Sequence, residues 1–273
     1  MDLRHIVEEG SFDLHMHTTA SDGDDSPSEI VRKAKEAGLK TIAITDHDTL
    51  AGIEEAQTEG EKLGIHVIAG VELSTKENNK SIDILGYGLT NSLKLEKTLA
   101  RMREGREDRA ARIVRKFTEL GMPLSMDDVR KFAGGSVIAR PHIAKAVVEK
   151  GYVSDVQSVF DEYLADGKPC ALPKVVLTPK EGIELIHEAG GKAVLAHPIH
   201  LHDDAFVRQL LETNDFDGLE VWHREQNKKA NEHYRALAES FGLFMTGGSD
   251  FHNDNHRLGN FGYSRTYKET EGS

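Results

Sequence analysis

Short apolar runs and amphipathic segments alternate along most of the chain, which predicts alternating strands and helices. The apolar runs have the length of strands and are bounded by polar residues, as expected for buried strands of a parallel sheet. The predicted strands cover residues 12–16, 41–45, 66–71, 81–87, 192–196, 218–221 and 243–246. The helices predicted between them cover residues 27–37, 50–63, 179–189 and 228–241. The pattern is therefore that of an α/β protein.

Two of these helices begin with the same arrangement of residues. Ser26-Pro27-Ser28-Glu29 and Thr178-Pro179-Lys180-Glu181 each place a hydroxyl residue at the N-cap, proline at the first helical position and an acid three residues after the cap. The hydroxyl and the acid can bond free backbone N–H groups at a helix start, so both helices are predicted to begin there.

The pattern changes between residues 91 and 170, where the sequence is rich in charge and poor in strand-like runs. Helices are predicted there over residues 93–120, 125–132, 139–150 and 154–164. We therefore expect residues 11–90 and 171–265 to form one discontinuous α/β domain. Residues 91–170 are expected to form an inserted helical subdomain that covers the substrate.

Side chains that can bind metals follow several predicted strands. They are His15 and His17 with Asp22, then His47, then Glu72, then His197, then Asp250 with His252. The two-residue period of a strand places His15 and His17 on the same side. The C-terminal strand ends of a βα barrel meet at one mouth, and burying so many titratable groups there without a cation would be very unfavourable. Together these residues predict a metal site.

Each of these residues has an ordinary alternative when taken alone. His47 could cap a helix, Glu72 could be a surface acid and His197 could be a packed core histidine. As a set, imidazole and carboxylate ligands without thiolate indicate a catalytic site for manganese, zinc or iron. The ligands suffice for two or three divalent ions, with manganese preferred and Glu72 as a bridge between two of them.

Net charge and composition limit the partners of the protein. The formal net charge of −12 would repel a polyanion, so binding of duplex nucleic acid is not expected, whereas a small phosphorylated substrate such as a nucleotide remains compatible. No apolar run approaches the ~18 residues of a membrane span, so no membrane association is expected. The acidic first residues and the single cysteine, Cys170, favour a cytoplasmic location. The sequence leaves protein partners open.

The residues around the candidate ligands resemble a known family. Its successive motifs correspond to Asp13-Leu14-His15-Met16-His17, Ser21-Asp22-Gly23, Thr45-Asp46-His47-Asp48, Gly70-Val71-Glu72, Ala196-His197-Pro198 and Gly248-Ser249-Asp250-Phe251-His252. In this order they resemble the motifs of the PHP (polymerase and histidinol phosphatase) superfamily. The resemblance implies a distorted (β/α)7 barrel with a trinuclear metal centre.

By position, the resemblance also implies which residues bind each ion. The first ion would take His15, His17, Glu72 and Asp250; the second Glu72, Asp83 and His197; the third Asp22, His47 and His252. Asp83 stands where related sequences usually have histidine. An oxygen ligand there predicts a harder metal or a weakly filled second position.

The inserted segment resembles one branch of this family. The resemblance rests on Arg140-Pro141-His142-Ile143-Ala144-Lys145, Gly151-Tyr152, 160–164 and Gly167-Lys168-Pro169. That branch contains nucleoside 3',5'-bisphosphate phosphatases, some of which also trim short RNA from the 5' end. Arg140 could grip a phosphate with two donors, and His142 could protonate a leaving oxygen or bind phosphate. The alternative is a surface ion pair at Arg140 and a helix start at Pro141-His142.

His200 is the third candidate for a substrate contact. It stands where that branch tends to have an arginine, so one phosphate contact is expected to be weaker or lost. Trp222-His223 after a predicted strand could stack on a base, or could simply pack.

The function that the ligand residues and the resemblance together imply is that of a metal-dependent phosphoesterase that hydrolyses phosphomonoesters by metal-activated hydroxide. The 3'-phosphate of nucleoside 3',5'-bisphosphates is the first expected target, and short oligonucleotides are the second. Two alternatives stay open: a histidinol-phosphate or sugar-phosphate phosphatase, and a catalytically silent metal-binding module.

Overall fold

The computed structural model describes residues 3–9, 11–90, 92–133, 138–172, 176–259 and 261–262. The chain divides into two compact units, Met1–Glu96 with Leu177–Ser273 and Lys97–Val176. We call the first the barrel unit and the second the helical unit. The predicted domain limit at residue 265 lies outside the described residues.

A seven-stranded sheet, with its strands in sequence order, forms the centre of the barrel unit. Its strands are β1 Phe12–Asp13, β2 Thr41–Ile44, β3 His66–Glu77, β4 Lys80–Tyr87, β5 Lys192–Leu195, β6 Gly218–His223 and β7 Phe244–Gly248. The inward and outward faces of β2 and β6 are both buried, which is why these strands read as continuous apolar runs in the sequence.

The first and last strands lie side by side and nearly close the sheet. The N–H of Leu14 donates to the carbonyl of Gly247 at 3.1 Å, and Met16 pairs with Phe251 further along. A Cβ on Gly248 would lie 2.3 Å from the Cβ of His15, so only glycine permits this approach. The mixed α/β, barrel-like fold confirms the predicted fold class.

The third strand extends further than its sequence predicts. Expected to end at residue 71, β3 continues to Glu77 and turns back through Asn78-Asn79 into β4, which is antiparallel to both β3 and β5. Both asparagines have positive φ, 49° and 64°, as a two-residue type I' hairpin turn requires. Glu72 therefore lies within a strand and not after one.

Ten helices are described in the two units. They are α1 Leu3–Glu9, α2 Pro27–Glu36, α3 Ile53–Leu63, α4 Leu93–Glu119, α5 Met126–Ala133, α6 Arg140–Glu149, α7 Val156–Val159, α8 Pro179–Glu188, α9 Asp204–Thr213 and α10 Lys228–Phe241. A π-helical turn, Phe160–Leu164, follows α7, and a 3-10 turn, Pro198–Leu201, follows β5.

The two predicted N-terminal caps are confirmed. At α2 the carboxylate of Glu29 accepts from the N–H of Ser26 at 2.8 Å, and the Ser26 hydroxyl accepts from the N–H of Glu29 at 3.3 Å. Thr178 and Glu181 make the same reciprocal pair at α8, with the same two distances. Each pair satisfies backbone donors that the helix itself leaves free.

Some elements differ from the predicted set. The predicted helix over residues 154–164 is α7 followed by the π-helical turn, and it begins after Asp155, which accepts from the N–H of Ser158 at 2.8 Å. Helices α1 and α9 were not predicted. The cap of α9 is Asp203, which accepts from the N–H of Phe206 at 3.0 Å, a local signal present in the sequence.

Each unit has its own apolar core. In the barrel unit, Ile30, Val31 and Ala34 of α2 are buried beside Ile42 and Ile44 of β2. The core of the helical unit includes Phe117, Ile143, Val147, Leu164 and Cys170. Within the described ranges, no helix combines the length and the apolar character needed to cross a membrane.

Replacing Thr178 by alanine should destabilise the barrel unit by about 1 kcal/mol, because the first turn of α8 loses its cap. The free energy of unfolding in urea measures the effect. Thr58→Ala is the control, since Thr58 is exposed inside α3, where alanine is a better helix former. Equal destabilisation by both changes would contradict a capping role.

Candidate metal centre

Three clusters of imidazole and carboxylate groups lie in the barrel unit and share members. Within each cluster, the atoms that could bind a metal all lie within 4.8 Å of one another. The first cluster is His15, His17, Glu72 and Asp250; the second is Glu72, Asp83 and His197; the third is His17, Asp22, His47 and His252. The structure thus brings together all nine residues predicted as ligands, and His17 also joins the third cluster.

The strands and the segment that follows β1 account for the convergence; β1 ends at Asp13, earlier than the predicted residue 16, and Met16 makes an isolated bridge to Phe251. Leu14 and Met16 are fully buried, and the alternation that buries them turns His15 and His17 to the opposite side, with ring centroids 5.3 Å apart. His47, just beyond β2, pairs in parallel with Glu72 on β3. Strand β3 therefore places the carboxylate of Glu72 at the same level as the imidazoles.

Four imidazoles of the clusters approach Glu72. Its side chain is 1% exposed, and its Oε2 lies 3.3 Å from His15 Nε2, 3.1 Å from His17 Nε2 and 3.1 Å from His47 Nδ1. Its other oxygen, Oε1, lies 2.9 Å from His197 Nε2. One buried carboxylate therefore contacts a member of every cluster.

Asp250 divides its two oxygens between different partners. Its Oδ1 lies 3.6 Å from His15 Nε2 and 3.3 Å from His17 Nε2. Its Oδ2 lies 3.1 Å from Arg224 Nη1 and 3.6 Å from His223 Nε2. Asp250 has φ 49°, a left-handed conformation that non-glycine residues rarely adopt, and Arg224 also donates to its carbonyl. Arg224 therefore occupies Oδ2 of Asp250, and Oδ1 faces the imidazoles of the first cluster.

Asp22 closes the more exposed third cluster from a turn. Its Oδ1 lies 3.6 Å from His17 Nδ1 and 3.5 Å from His252 Nε2, and its Oδ2 lies 3.7 Å from His47 Nε2. The turn needs Gly23, because a Cβ there would lie 2.4 Å from the carbonyl oxygen of His17. This close approach places the carboxylate over the imidazoles.

The donor atoms fit divalent cations. Among the described residues, several buried atoms of the clusters make no hydrogen bond of acceptable geometry, although groups of opposite charge lie near. They are His15 Nε2, His17 Nδ1 and Nε2, His47 Nδ1 and Glu72 Oε2. Buried polar atoms are normally satisfied, so these indicate a missing partner. Nitrogen and oxygen donors without thiolate match catalytic zinc, manganese or iron.

The buried carboxylates also shift the pKa values of the imidazoles around them. Burial favours the neutral ring of His17, but Asp250 and Glu72 outweigh it and raise the pKa of His17 to about 10. Burial likewise opposes charge at His197, and Glu72 raises its pKa to about 9. Glu72 is also desolvated, yet His47 and His15 hold its pKa well below its usual range. In the metal-free protein, protons on imidazoles balance the buried carboxylates.

Two predicted substrate residues, Arg140 and His142, belong to the helical unit and have local partners. Arg140 begins α6 and donates to the carbonyl of Leu164 at 3.1 Å and to Asp166 Oδ1 at 3.2 Å. His142 Nδ1 accepts from the N–H of Ala139 at 3.1 Å. These contacts agree with the alternative interpretation, an ion pair and a helix start, and the substrate roles stay predictions.

His200 lies in the barrel unit beside the second cluster. Its ring centroid is 4.6 Å from that of His197, and its Nε2 lies 3.0 Å from Glu225 Oε2. A cavity of about 170 Å³ is lined by Asp83, His197 and His200 among others. Burial and the neighbouring His197 lower the pKa of His200, so at neutral pH it lacks the charge of an arginine.

Sequence reasoning missed two residues next to the clusters, Glu220 and Arg224. Glu220 is fully buried within β6, where it lies 3.1 Å from His15 Nδ1. A carboxylate inside a run of buried strand residues must be paired, and this was the signal available in Gly218-Leu219-Glu220-Val221. Arg224 carried no comparable signal, since a single arginine after a strand is commonly a surface residue.

A barrel with imidazole and carboxylate groups clustered at the strand ends is typical of metal-dependent hydrolases. Comparison with known families gives a match to the PHP domain over residues 13–165. The chain is 37% identical over 249 residues to the 5'-3' exoribonuclease Rnm of Escherichia coli (strain K12), covering 88% of this chain and 85% of that protein. The chain therefore belongs to the PHP domain family.

Two further similarities concern a relative and a solved structure. The chain is 30% identical over 251 residues to the 3',5'-nucleoside bisphosphate phosphatase of Chromobacterium violaceum, covering 89% of this chain and 87% of that protein. A structure assigned as a metal-dependent phosphoesterase from Bifidobacterium adolescentis has a TM-score of 0.75 at 30% identity, covering 92% of this chain and 91% of that one. These similarities support a hydrolase acting on phosphoric ester bonds.

Changing Glu72 to glutamine should remove most of the bound metal, because one isosteric change removes the charge that contacts every cluster. The loss of affinity should exceed the roughly 10- to 100-fold typical of residues that only support a ligand. Elemental analysis after reconstitution with Mn²⁺ measures it. Glu77→Gln is the matched control, at the far end of β3, and equal metal content in both variants would contradict the assignment of Glu72.

Binding of a divalent cation should release protons. With pKa values of about 10 for His17 and about 9 for His197, both rings are protonated at pH 7, and a cation must displace those protons. Affinity for Zn²⁺ should therefore rise between pH 6 and pH 8. Calorimetric titration in two buffers of different ionisation enthalpy detects the released protons. Binding that is independent of both pH and buffer would contradict this description of the metal-free site.

Proposed function

We propose that this chain is a metal-dependent phosphoesterase that removes the 3'-phosphate of nucleoside 3',5'-bisphosphates. The observation that carries the proposal is the contact of buried Glu72 with imidazoles of all three clusters. The similarity to a 3',5'-nucleoside bisphosphate phosphatase supports the substrate. Divalent cations bound in the clusters would supply an acidified water and would offset the negative charge on the phosphate oxygens.

The residues of the chain hold and orient these groups. Glu72, Asp250 and the imidazoles of the first cluster provide a mixed oxygen and nitrogen site at one end of the barrel. Asp22, with its side chain 40% exposed, leaves the third cluster the most open to solvent and to an entering phosphate. The resemblance assigns Arg140 to grip a phosphate and His142 to bind phosphate or protonate the leaving oxygen, and we retain both as proposals.

The three clusters differ in their donor atoms, so we propose two or three ions of unequal affinity. The third cluster offers three imidazoles and one carboxylate, which suits zinc or iron. The second offers two carboxylates and one imidazole, through Asp83, and so favours the harder manganese and binds it more weakly. Manganese is the metal we expect to support activity.

A second activity, trimming of short RNA from its 5' end, is favoured by the 37% identity to a 5'-3' exoribonuclease. The two reactions break the same type of bond. In both, water attacks a phosphorus atom attached to a 3' oxygen, and the leaving group is the 3'-hydroxyl of a nucleotide. They differ in whether that phosphate is a monoester or also joins a second nucleoside. One site can therefore serve both reactions.

Other substrates are less compatible with the chain. The net charge of −12 disfavours duplex nucleic acid, which would be repelled by the surface away from the cations. The inserted segment with Arg140 and His142 argues against a histidinol-phosphate or sugar-phosphate phosphatase. A catalytically silent module would bind metal and release no phosphate.

Phosphate release distinguishes these candidates. With Mn²⁺, adenosine 3',5'-bisphosphate should be converted to 5'-AMP, while 5'-AMP and histidinol phosphate should react at least about tenfold more slowly, which corresponds to 1.4 kcal/mol in the transition state. A 5'-phosphorylated trinucleotide should be converted to 5'-mononucleotides, which chromatography detects.

The Glu72→Gln variant should lose all activity, and the Glu77→Gln variant should retain it. Faster hydrolysis of histidinol phosphate would contradict the proposed substrate, and metal binding without any turnover would favour the silent module.

Asp83→His tests the assignment of the second cluster. Exchange of a carboxylate for an imidazole should shift the Zn²⁺ to Mn²⁺ ratio toward zinc after reconstitution with equal amounts of both metals. Asp215→His is the control, because Asp215 is exposed and outside the clusters. If the metal ratio and the rate of phosphate release are unchanged in Asp83→His, Asp83 is not a ligand of the centre.

A further inference from the structure

We infer that Glu220 is a positioning residue that holds one ligand of the first cluster and one ligand of the second. The inference rests on the proposed metal centre. Glu220 is fully buried in β6 and belongs to none of the three clusters. Its Oε1 lies 3.1 Å from His15 Nδ1, and its Oε2 accepts from the backbone N–H of His197 at 2.7 Å.

The contact with His15 decides which ring nitrogen faces the cluster. A neutral imidazole carries one proton, and a carboxylate beside Nδ1 accepts a hydrogen bond only if the proton is there. Nε2 then presents its lone pair toward Glu72 Oε2 at 3.3 Å and Asp250 Oδ1 at 3.6 Å. Glu220 therefore selects the form of His15 that can bind a cation.

The contact with His197 holds a strained stretch of backbone. His197 has φ 20° and ψ 65°, outside the regions that non-glycine residues commonly adopt. Its N–H, in a partly buried position, would lose this acceptor if Glu220 were removed, which is unfavourable. The backbone at this point aims the ring, whose Nε2 lies 2.9 Å from Glu72 Oε1.

Glu220 must accept at both oxygens, which makes glutamine an informative substitution. The amide of glutamine has one acceptor and one donor group. If its oxygen faces the N–H of His197, its NH₂ faces His15 Nδ1 and moves the proton of His15 to Nε2. If the amide is reversed, two donors face each other at His197. Either orientation weakens a ligand without changing the size of the side chain.

The chain offers a matched control just before the same strand. Asp217, just before β6, accepts from the N–H of Ala193 at 2.9 Å and lies 2.7 Å from His187 Nε2. It thus also contacts one backbone N–H and one histidine, but neither residue belongs to a cluster. Asp217 also accepts from Lys192 Nζ at 2.7 Å. Asp217→Asn therefore weakens a comparable set of contacts just before the same strand, at residues outside the clusters.

Calorimetric titration of the metal-free protein with Zn²⁺ tests the inference. Glu220→Gln should bind Zn²⁺ about 10- to 100-fold more weakly than the wild type, and Asp217→Asn should bind it normally. Long-range ¹H–¹⁵N NMR of the Zn²⁺-loaded protein should place the wild-type His15 proton on Nδ1 and show that signal altered in Glu220→Gln. Wild-type affinity with an unchanged His15 signal in Glu220→Gln would overturn the inference.

Glu220→Asp keeps both acceptors on a shorter side chain and serves if Glu220→Gln does not fold. It should retain the proton on Nδ1 of His15 and lose less than about tenfold in affinity. A shifted proton in this variant would also overturn the inference. A wild type that binds no Zn²⁺ would instead disprove the metal centre on which the inference rests, so the two failures are distinguishable.

Discussion

The contact between one buried carboxylate and four imidazoles is the interaction on which the site depends. Glu72 meets His15, His17, His47 and His197, which come from three separate parts of the chain. A buried charge is tolerated only when groups of opposite charge or hydrogen-bond donors surround it. In the metal-free protein protonated imidazoles fill that role, and in the working enzyme cations would replace the protons.

The barrel is arranged so that this contact can form. Close packing of Gly248 against His15 brings β7 beside β1, and Asp13 accepts from the N–H of Ser249 at 2.9 Å to fasten the turn that carries Asp250. The β3–β4 hairpin continues past the level of Glu72 and returns with Asp83. The two strands of this hairpin thus contribute Glu72 and Asp83 from within the strands, whereas His47, His197 and Asp250 lie beyond the ends of β2, β5 and β7.

Local signals in the sequence predicted much of the fold and of the candidate metal centre. The caps at Ser26 and Thr178 depend on residues within one helical turn, and the alternation around His15 and His17 depends on strand geometry alone, so both could be read without a structure. Eight of the nine ligand residues could be assigned to one site because strand ends converge in barrels, whereas Asp83 and the division into three groups came from the resemblance to the PHP superfamily. The mixed direction of the sheet was missed, although the Asn78-Asn79 turn that produces it was visible. The sequence marked Glu220 as a buried acid that needs a partner, but the identity of its partners could not be predicted, since His15 and His197 are distant from β6 in sequence.

The most direct test is a crystal structure of the protein grown with Mn²⁺, with anomalous diffraction recorded on both sides of the manganese absorption edge. Manganese peaks should lie within about 2.0–2.4 Å of Glu72 carboxylate oxygens and of imidazole nitrogens from the adjoining clusters. Absence of any peak near Glu72, with the imidazoles still packed against its carboxylate, would contradict a metal centre organised around that residue.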